Sequence, residues 1–557
     1  MAEKTNVSPG SSSTTKAKAA SKGAAKSGTS AKTRRVSESV AEPVVEELDV
    51  LIIGAGLSGI GAAHHLQTNC PWASYAILES RERMGGTWDL FRYPGIRSDS
   101  DMFTLSYEFS PWKGEKSISD GASILEYINK TASDAGIDEH IRYSHKVLTV
   151  DWSSDDARWH VSAQNADGQE IALRARFIIS CTGYYRYESG YLPDFKGMDT
   201  FEGTIAHPQF WPEDLDYADK DVIIIGSGAT AITLVPAMAP DAAKVTMLQR
   251  SPTYLLSLPS KNPVANALRT VLPTAISGPL IRWTMATGTF TMYNVSRSAP
   301  SLVKKVLRRQ VERALPKGYD VEKHFVPHYQ PWDERVCVVT NGDLFKEISR
   351  GKVEMVTDHI KEFTPKGILL ESDEEIQADI IVPATGLDVL FLGGIDLRVD
   401  GEVVDPGSRL SYKGTMLEGV PNMAIIFGYT NASWTLKADL SSNYVCRLLN
   451  EMRSDDVDYC VPENNDESMD RLPMLNLSSG YVTRALDKLP KQGAKFPWQV
   501  KMSVFSDYKA IKMSSLRDEA LRFGRLATDR NAKATSNGLS TVDLGESAEK
   551  VPAAVEG

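Results

Sequence analysis

The amino-acid sequence predicts an α/β protein with two Rossmann-like dinucleotide-binding domains and a helical insertion. Three observations carry this expectation. Two β-branched apolar runs each end in a glycine-rich turn, at Gly54 and at Gly226. Two strings that close on Thr-Gly, Ile179-Ser180-Cys181-Thr182-Gly183 and Val382-Pro383-Ala384-Thr385-Gly386, bracket the second run and look like strand ends where a chain crosses between two such domains. Between them lies a long apolar region punctuated by prolines, which suits inserted helices better than a membrane span.

Residues 1–46 are mostly Ser, Thr, Ala, Lys and Gly and cannot bury enough surface to offset the entropy of ordering them, so they read as a disordered tail. The first 37 residues carry eight Lys or Arg against Glu3 alone, about +7, which leaves −17 for the rest of a chain whose net charge is −10. A transit peptide is the alternative for so basic and Ser-rich a stretch, but it has neither an amphipathic arginine-bearing helix nor a signal-peptide apolar core. Residues 527–557 read as a second disordered tail, and Val555-Glu556-Gly557 is no targeting tripeptide. The acidic body, 47–526, argues against nucleic acid as a partner and is long enough for more than one core. Five cysteines, Cys70, Cys181, Cys337, Cys446 and Cys460, odd in number and without close pairs, suit a reducing, cytoplasmic setting better than a disulfide framework, and no metal-ligand spacing occurs.

Leu48 to Ile53 reads as the first strand, Gly54-Ala55-Gly56-Leu57-Ser58-Gly59 as the turn and Ile60 to Leu66 as the helix. Gly54 permits the turn, Gly56 lets backbone approach a pyrophosphate, and Gly59 allows close helix-strand packing. The next strand, Tyr75 to Leu78, ends at Glu79, twenty residues past Gly59, where a carboxylate can hold the ribose hydroxyls of an adenine dinucleotide. This assigns FAD to the first site, against a merely structural glycine turn, and places the first part of its domain at 47–186.

Val222 to Ile225 repeats the pattern and runs into Gly226-Ser227-Gly228-Ala229-Thr230-Ala231, with Ala231 where the packing glycine stood. The following strand, Val245 to Gln249, ends in Arg250-Ser251. An acid there would repel a 2′-phosphate and arginine attracts it, so NADPH is expected over NADH unless Arg250 is an ordinary surface arginine. This domain is expected at 187–380 with its helical insertion at about 262–320, and the second part of the FAD domain, with the substrate pocket, at 381–526. In the insertion, Pro273, Pro279 and Arg282 interrupt the apolar stretch from Leu268 to Tyr293 before it reaches spanning length. Behind it, a helix from Leu302 to Leu315 places Val303, Val306, Leu307, Ala314 and Leu315 on one face and Lys304, Lys305, Arg308, Arg309 and Arg313 on the other. Such a helix suits a weak peripheral contact with an anionic membrane, or simply a solvated face over a packed helix.

Between the glycine loops stands Phe201-Glu202-Gly203-Thr204-Ile205-Ala206-His207-Pro208-Gln209-Phe210-Trp211-Pro212. It matches the Phe-x-Gly-x-x-x-His-x-x-x-Trp-Pro signature of Baeyer-Villiger monooxygenases at every fixed position, and the chain resembles that family over most of 47–526. Gly85-Gly86-Thr87-Trp88 through Tyr93-Pro94-Gly95 to Asp99 resembles the family's second fingerprint. The resemblance implies that Trp88 walls the flavin and that Asp99 is the active-site aspartate, whereas local pattern alone also lets Asp99 cap a helix before Met102. Pro331 to Val338 resembles the segment that bears the family's catalytic arginine, here Arg335, with Asp99 holding it. A lysine common in the family just before that arginine is Glu334 here, which loosens the expected strictness for NADPH. His207 fits a buried, hydrogen-bonded residue with a hinge and orienting role. Gly428 to Trp434 precedes a helical run whose N-terminus would face the flavin carbonyl, and Trp434 is either pocket wall or core.

The family resemblance implies hydride transfer from NADPH to FAD, capture of O2, attack on a ketone and migration of one carbon to oxygen, giving an ester or lactone. The always-charged guanidinium of Arg335 would stabilise the oxyanions of such steps in a water-poor pocket. Tyr93 to Asp101 and Asn431-Ala432-Ser433-Trp434 are similar to the ethionamide-activating branch, which implies small linear ketones and organosulfur compounds as substrates. A flavin monooxygenase acting on S or N atoms shares both glycine loops but lacks the ending supplied by Trp211-Pro212. A pyridine nucleotide-disulfide reductase would need a vicinal cysteine pair. A non-catalytic sensor binding both dinucleotides is disfavoured because Asp99 and Arg335 are both present.

Overall fold

The computed structural model describes residues 45–334, 336–475 and 478–526. Arg335, residues 1–44 and residues 527–557 lie outside them; Glu46, expected in the tail, instead opens the first strand. The strands that matter here are, in chain order, Glu46–Ile53 (β1), Tyr75–Leu78 (β2), Ile141–Arg142 (β3), Lys146–Ser153 (β4), Arg158–Gln164 (β5), Glu170–Ser180 (β6), Thr204–Ile205 (β7), Asp221–Ile225 (β8), Lys244–Gln249 (β9), Val353–Thr357 (β10), Ile380–Pro383 (β11), Asp396–Val399 (β12), Glu402–Val403 (β13) and Met423–Ile425 (β14). The helices are Leu57–Asn69 (α1), Thr87–Leu90 (α2), Met102–Leu105 (α3), Ala229–Met238 (α4), Pro263–Val271 (α5), Thr274–Ser298 (α6), Pro300–Ala314 (α7) and Trp434–Ser454 (α8).

Two sheets organise the chain. The first has the order β13-β12-β4-β5-β6-β1-β2-β3, with β14 pairing β6, and the second β10-β9-β8-β11-β7. All pairings of the second sheet are parallel, as are β1 with β2 and β6. Parallel strands are covered on both faces, which is why Val50 to Ile53 of β1 and Val222 to Ile225 of β8 are continuously apolar and buried. Along β1, Val50 and Ile52 enter one core while Leu51 and Ile53 enter the other. The same alternation in β8 sends Val222 and Ile224 to one side and Ile223 and Ile225 to the opposite side. Each such side chain contributes about 1.5–3 kcal/mol by leaving water. The two Thr-Gly strings do follow strand ends, at Ser180 and Pro383, and turn through Gly183 at φ 67° and Gly386 at φ 112°.

The insertion is helical, as expected, and Pro273 separates α5 from α6, but Pro279 acts differently. Pro279 sits inside α6, which runs 25 residues through it, so it does not break the helix. The strain of about 3 kcal/mol for an internal proline is offset by packing of the inward side chains Ile281 and Ala286. In α7 the buried residues are Leu307 and Val311, and the line continues to buried Leu315 just past the helix end, whereas Val306 and Ala314, expected on the apolar face, are exposed and Val303 is half-buried. The stripe follows an i, i+4, i+8 line because Val311 and Leu315 join the core of the second sheet. Among the described residues no helix is long and apolar enough to cross a membrane.

Candidate active site

The glycine loop after β1 is built by two positions where the protein itself excludes a side chain. Gly54, at φ 101°, donates its N–H to the Leu78 carbonyl at 2.8 Å, and a Cβ there would lie 2.7 Å from the Cys181 carbonyl oxygen. A Cβ on Gly59 would lie 1.9 Å from the Gly54 carbonyl oxygen. Gly56 differs, because its Cβ would meet only the Gly86 backbone, the Cα at an ordinary 3.5 Å and the N at 3.8 Å. Its bareness therefore serves something that approaches from outside. No side chain caps α1, which leaves the first turn of N–H groups to a ligand anion.

Glu79 is 4% exposed and braces this loop. One carboxylate oxygen accepts the Ala55 N–H at 2.8 Å and the other the Arg81 N–H at 2.9 Å. Burial pushes the carboxyl above its ordinary range against these bonds. Glu79 thus shapes the turn as well as lining the cavity beside it. The second fingerprint docks against the same loop, Gly85 N–H bonding to the Ala55 carbonyl at 3.0 Å. Trp88 stands on α2, whose buried neighbour Asp89 accepts from Arg81, Arg83 and Arg92. Sequence reasoning passed over this acid ringed by arginines; the three-residue step from Asp89 to Arg92 was its one local signal.

A cavity of about 860 Å³ opens over these elements. Gly54, Gly56, Glu79, Trp88 and Asp99 line it on one side, and Met285, Gly288, Thr289 and Met292 of α6 on another. The alternative reading of Asp99 as a helix cap is overturned. Asp101 caps α3, accepting the Thr104 N–H at 3.0 Å and its hydroxyl at 2.7 Å. Asp99, two residues earlier, is exposed to the cavity. Trp332 and Val336, which flank Arg335 in the chain, line the same cavity. The segment from Tyr429 to Trp434 closes it, so the N-terminus of α8 as well as that of α1 borders this space. Trp434 is both wall and core: its indole N–H donates to Ser58 Oγ at 2.7 Å, its ring stacks on Tyr184 at 5.6 Å, and it packs against the cores on both faces of the first sheet.

The second glycine loop shows the same division of labour. Gly226, at φ 137°, would place a Cβ 2.4 Å from the Ala384 carbonyl oxygen, while a Cβ on Gly228 would meet nothing within 4 Å. Ala231 is fully buried at the packing position. Arg250 and Ser251 are exposed just past the end of β9. Burial pushes the Glu334 carboxyl up, and the neighbouring Arg250 charge draws it back down, so this acid offsets part of the positive field of Arg250.

The signature string braces the edge of the second sheet rather than the cavity. Its residues Thr204 and Ile205 form β7 and pair with β11. Phe201 packs into the core on one face of that sheet and Trp211 against the core on the other. A Cβ on Gly203 would lie 2.4 Å from the Asp379 carbonyl oxygen. His207 accepts the Gln209 N–H on Nδ1 at 3.1 Å, and burial pushes its imidazole below the usual value. It does not line the cavity.

Two glycine loops with bare outer surfaces and acid- or arginine-tipped second strands define a protein built to hold two dinucleotides. Residues 116–393 match the flavin-binding monooxygenase-like family, and residues 52–112 an NAD(P)-binding Rossmann-like domain. The FAD-containing monooxygenase EthA of Mycobacterium tuberculosis (strain ATCC 25618 / H37Rv) is 51% identical over 483 residues, 86% of this chain and 99% of that protein. Among solved structures, OTEMO in complex with FAD and NADP aligns over 75% of this chain and 88% of its own, at 23% identity and a TM-score of 0.62. Oxidized steroid monooxygenase bound to NADP aligns over 86% and 100%, at 19% identity and a TM-score of 0.70, so both share this fold. The chain belongs to the flavin-binding monooxygenase family.

Proposed function

We propose that this flavoprotein monooxygenase is a Baeyer-Villiger enzyme that uses FAD, NADPH and O2 to place one oxygen next to the carbonyl of a small ketone, giving an ester or lactone, and that also oxidises thioethers and thiocarbonyls. The observation that carries the reading is the presence of Asp99 and both flanks of Arg335 on one cavity that two helix N-termini border. Reduced by NADPH, bound FAD supplies the O2-derived oxygen nucleophile. The residues fit that cofactor. Gly56, Glu79 and Trp88 line the cavity; the α1 amides and bare Gly56 would receive a pyrophosphate, Glu79 would hold the ribose hydroxyls, Trp88 would give an apolar wall, and the α8 N-terminus would lend positive potential to an anionic ring. Gly228 and Arg250 would hold the phosphates of NADPH. Arg335 would keep a fixed positive charge beside the developing oxyanion, with Asp99 positioning it. Phe201, Gly203, His207 and Trp211 would orient the second sheet and its nucleotide. The five cysteines are free and buried, which suits a reducing, cytoplasmic location.

Substitution at Arg335 tests the reading. Arg335→Ala should still bind FAD and lose ketone oxygenation by at least about a hundredfold, as when an oxyanion donor is removed. Arg335→Lys should rescue poorly for want of the planar fork. Ester formation by Arg335→Ala at the parental rate would overturn it.

A further inference from the structure

Between Thr274 and Ser296, α6 carries one charged residue, Arg282, and that residue is 7% exposed. Its Nη1 donates to the carbonyls of Thr104, at 3.0 Å, and Ser106, and its Nη2 to Asp439 Oδ2 at 2.9 Å. One guanidinium therefore joins the insertion to the end of α3 and to the second turn of α8. The Thr104 carbonyl also accepts the Thr435 hydroxyl at 2.8 Å, and the Thr104 hydroxyl shares a hydrogen bond of 2.6 Å with Ser433, the residue that precedes α8 and lines the cavity. Arg282 also lies close enough to the buried Asp101 carboxyl to stabilise its charge. Over the next three turns of α6, Met285, Gly288, Thr289 and Met292 form a wall of that cavity.

A buried ion pair is a poor source of stability, because desolvating both charges offsets most of their attraction, but it fixes one geometry among many. An apolar side chain would hold α6 to the core without specifying how far along α3 and α8 it sits. The three-pronged fork does specify it. We propose that Arg282 is a positioning residue that clamps the insertion helix to α3 and α8 and so sets the distance of the substrate wall, and with it the size of substrate the enzyme accepts. This rests on the reading of the cavity as the oxygenation site.

The test compares the parent holoenzyme with Arg282→Lys and with the double variant Arg282→Met/Asp439→Met, in which the buried pair becomes apolar. Two readouts are taken: hydrogen exchange of residues 274–298, and kcat and KM for a short linear ketone and one twice as long, followed by NADPH consumption and product. The double variant should retain FAD and the parental rate of substrate-free NADPH oxidation, exchange faster in 274–298, and change the long-to-short ratio of kcat/KM by about tenfold, chiefly through KM, the discrimination one or two methylenes of pocket contact supply. Arg282→Lys should fall between, since an ammonium reaches Asp439 but not all three acceptors. If the double variant does not fold, Arg282→Lys is judged by the same two readouts. An active variant with an unchanged size ratio, whatever its exchange or Tm, overturns the proposal. If the parent makes no ester, the Baeyer-Villiger reading fails instead, and the size ratio for short and long thioethers together with the exchange data decides the role of Arg282.

Discussion

Substituting alanine at Gly59, Gly56 and Gly228 separates what the fold requires from what a nucleotide requires. At Gly59 a Cβ would sit 1.9 Å from the Gly54 carbonyl oxygen, a backbone atom that cannot turn aside. Real Cβ contacts keep to at least 3.0 Å, so strand end and helix must separate by more than an ångström. Overpacking of that size belongs with the severe core substitutions, and Gly59→Ala is expected to lose more than about 4 kcal/mol and fail to accumulate as holoenzyme. Gly56→Ala meets only an ordinary 3.5 Å contact, so the chain should fold, but with a methyl where a pyrophosphate approaches it should bind FAD weakly. Gly228→Ala meets nothing within 4 Å and should shift stability by less than about 1 kcal/mol, a few degrees in Tm, while raising KM for NADPH at unchanged FAD content. The assays are thermal unfolding followed by flavin fluorescence, the ratio of flavin to protein absorbance, and NADPH saturation curves. Gly59→Ala with parental Tm, or Gly228→Ala with parental KM for NADPH, would refute the reasoning.

Arg250→Ala should lower the preference for NADPH over NADH by roughly tenfold to a hundredfold, the worth of about 1.5–3 kcal/mol for a charge-assisted contact, and nearer the lower figure because Glu334 already offsets Arg250; steady-state kinetics with both cosubstrates decide it. Glu79→Gln keeps one acceptor oxygen where the loop uses two, so either the Ala55 or the Arg81 N–H loses its partner, and unfolding of the apoprotein should show a loss of about 1–3 kcal/mol. For His207 the sign follows from burial, which lowers its folded pKa below 6.5: protonation then favours the unfolded chain, so its contribution is intact above pH 6.5 and is lost as pH falls through the lowered value. His207→Asn should therefore show a shallower decline of Tm below pH 6.5 than the parent, while the pH profile of turnover stays the same.

Much of the fold was legible because its signals are local. A continuous apolar run between polar turns marks a strand covered on both faces, and glycines at fixed spacing mark the loops, so β1 and β8 fall within two residues of where the sequence places them, while α1 starts at Leu57, three residues before the expected Ile60. What escaped depends on contacts remote in sequence. Asp99 and Asp101 are two equivalent capping candidates to a local pattern, and only the packing of α3 picks Asp101. Pro279 marks a break by propensity, yet burial of one side of α6 overrides it. Arg282, read as an interruption of an apolar stretch, finds its acceptors 157 to 178 residues away in the chain. No period or motif encodes such a pairing. The site follows the same division: the glycines and Glu79 announce themselves by spacing, whereas the meeting of Asp99, Trp332, Val336 and Trp434 on one cavity exists only in three dimensions.

The central claim is most directly tested by turning over a linear ketone with NADPH under isotopically labelled O2 and identifying the product by mass spectrometry. The account predicts an ester carrying one labelled oxygen, formed in step with NADPH consumption by the parent and abolished in Arg335→Ala that still holds FAD. Consumption of NADPH with hydrogen peroxide as the only oxygen product, across ketones that the cavity can admit, would contradict it.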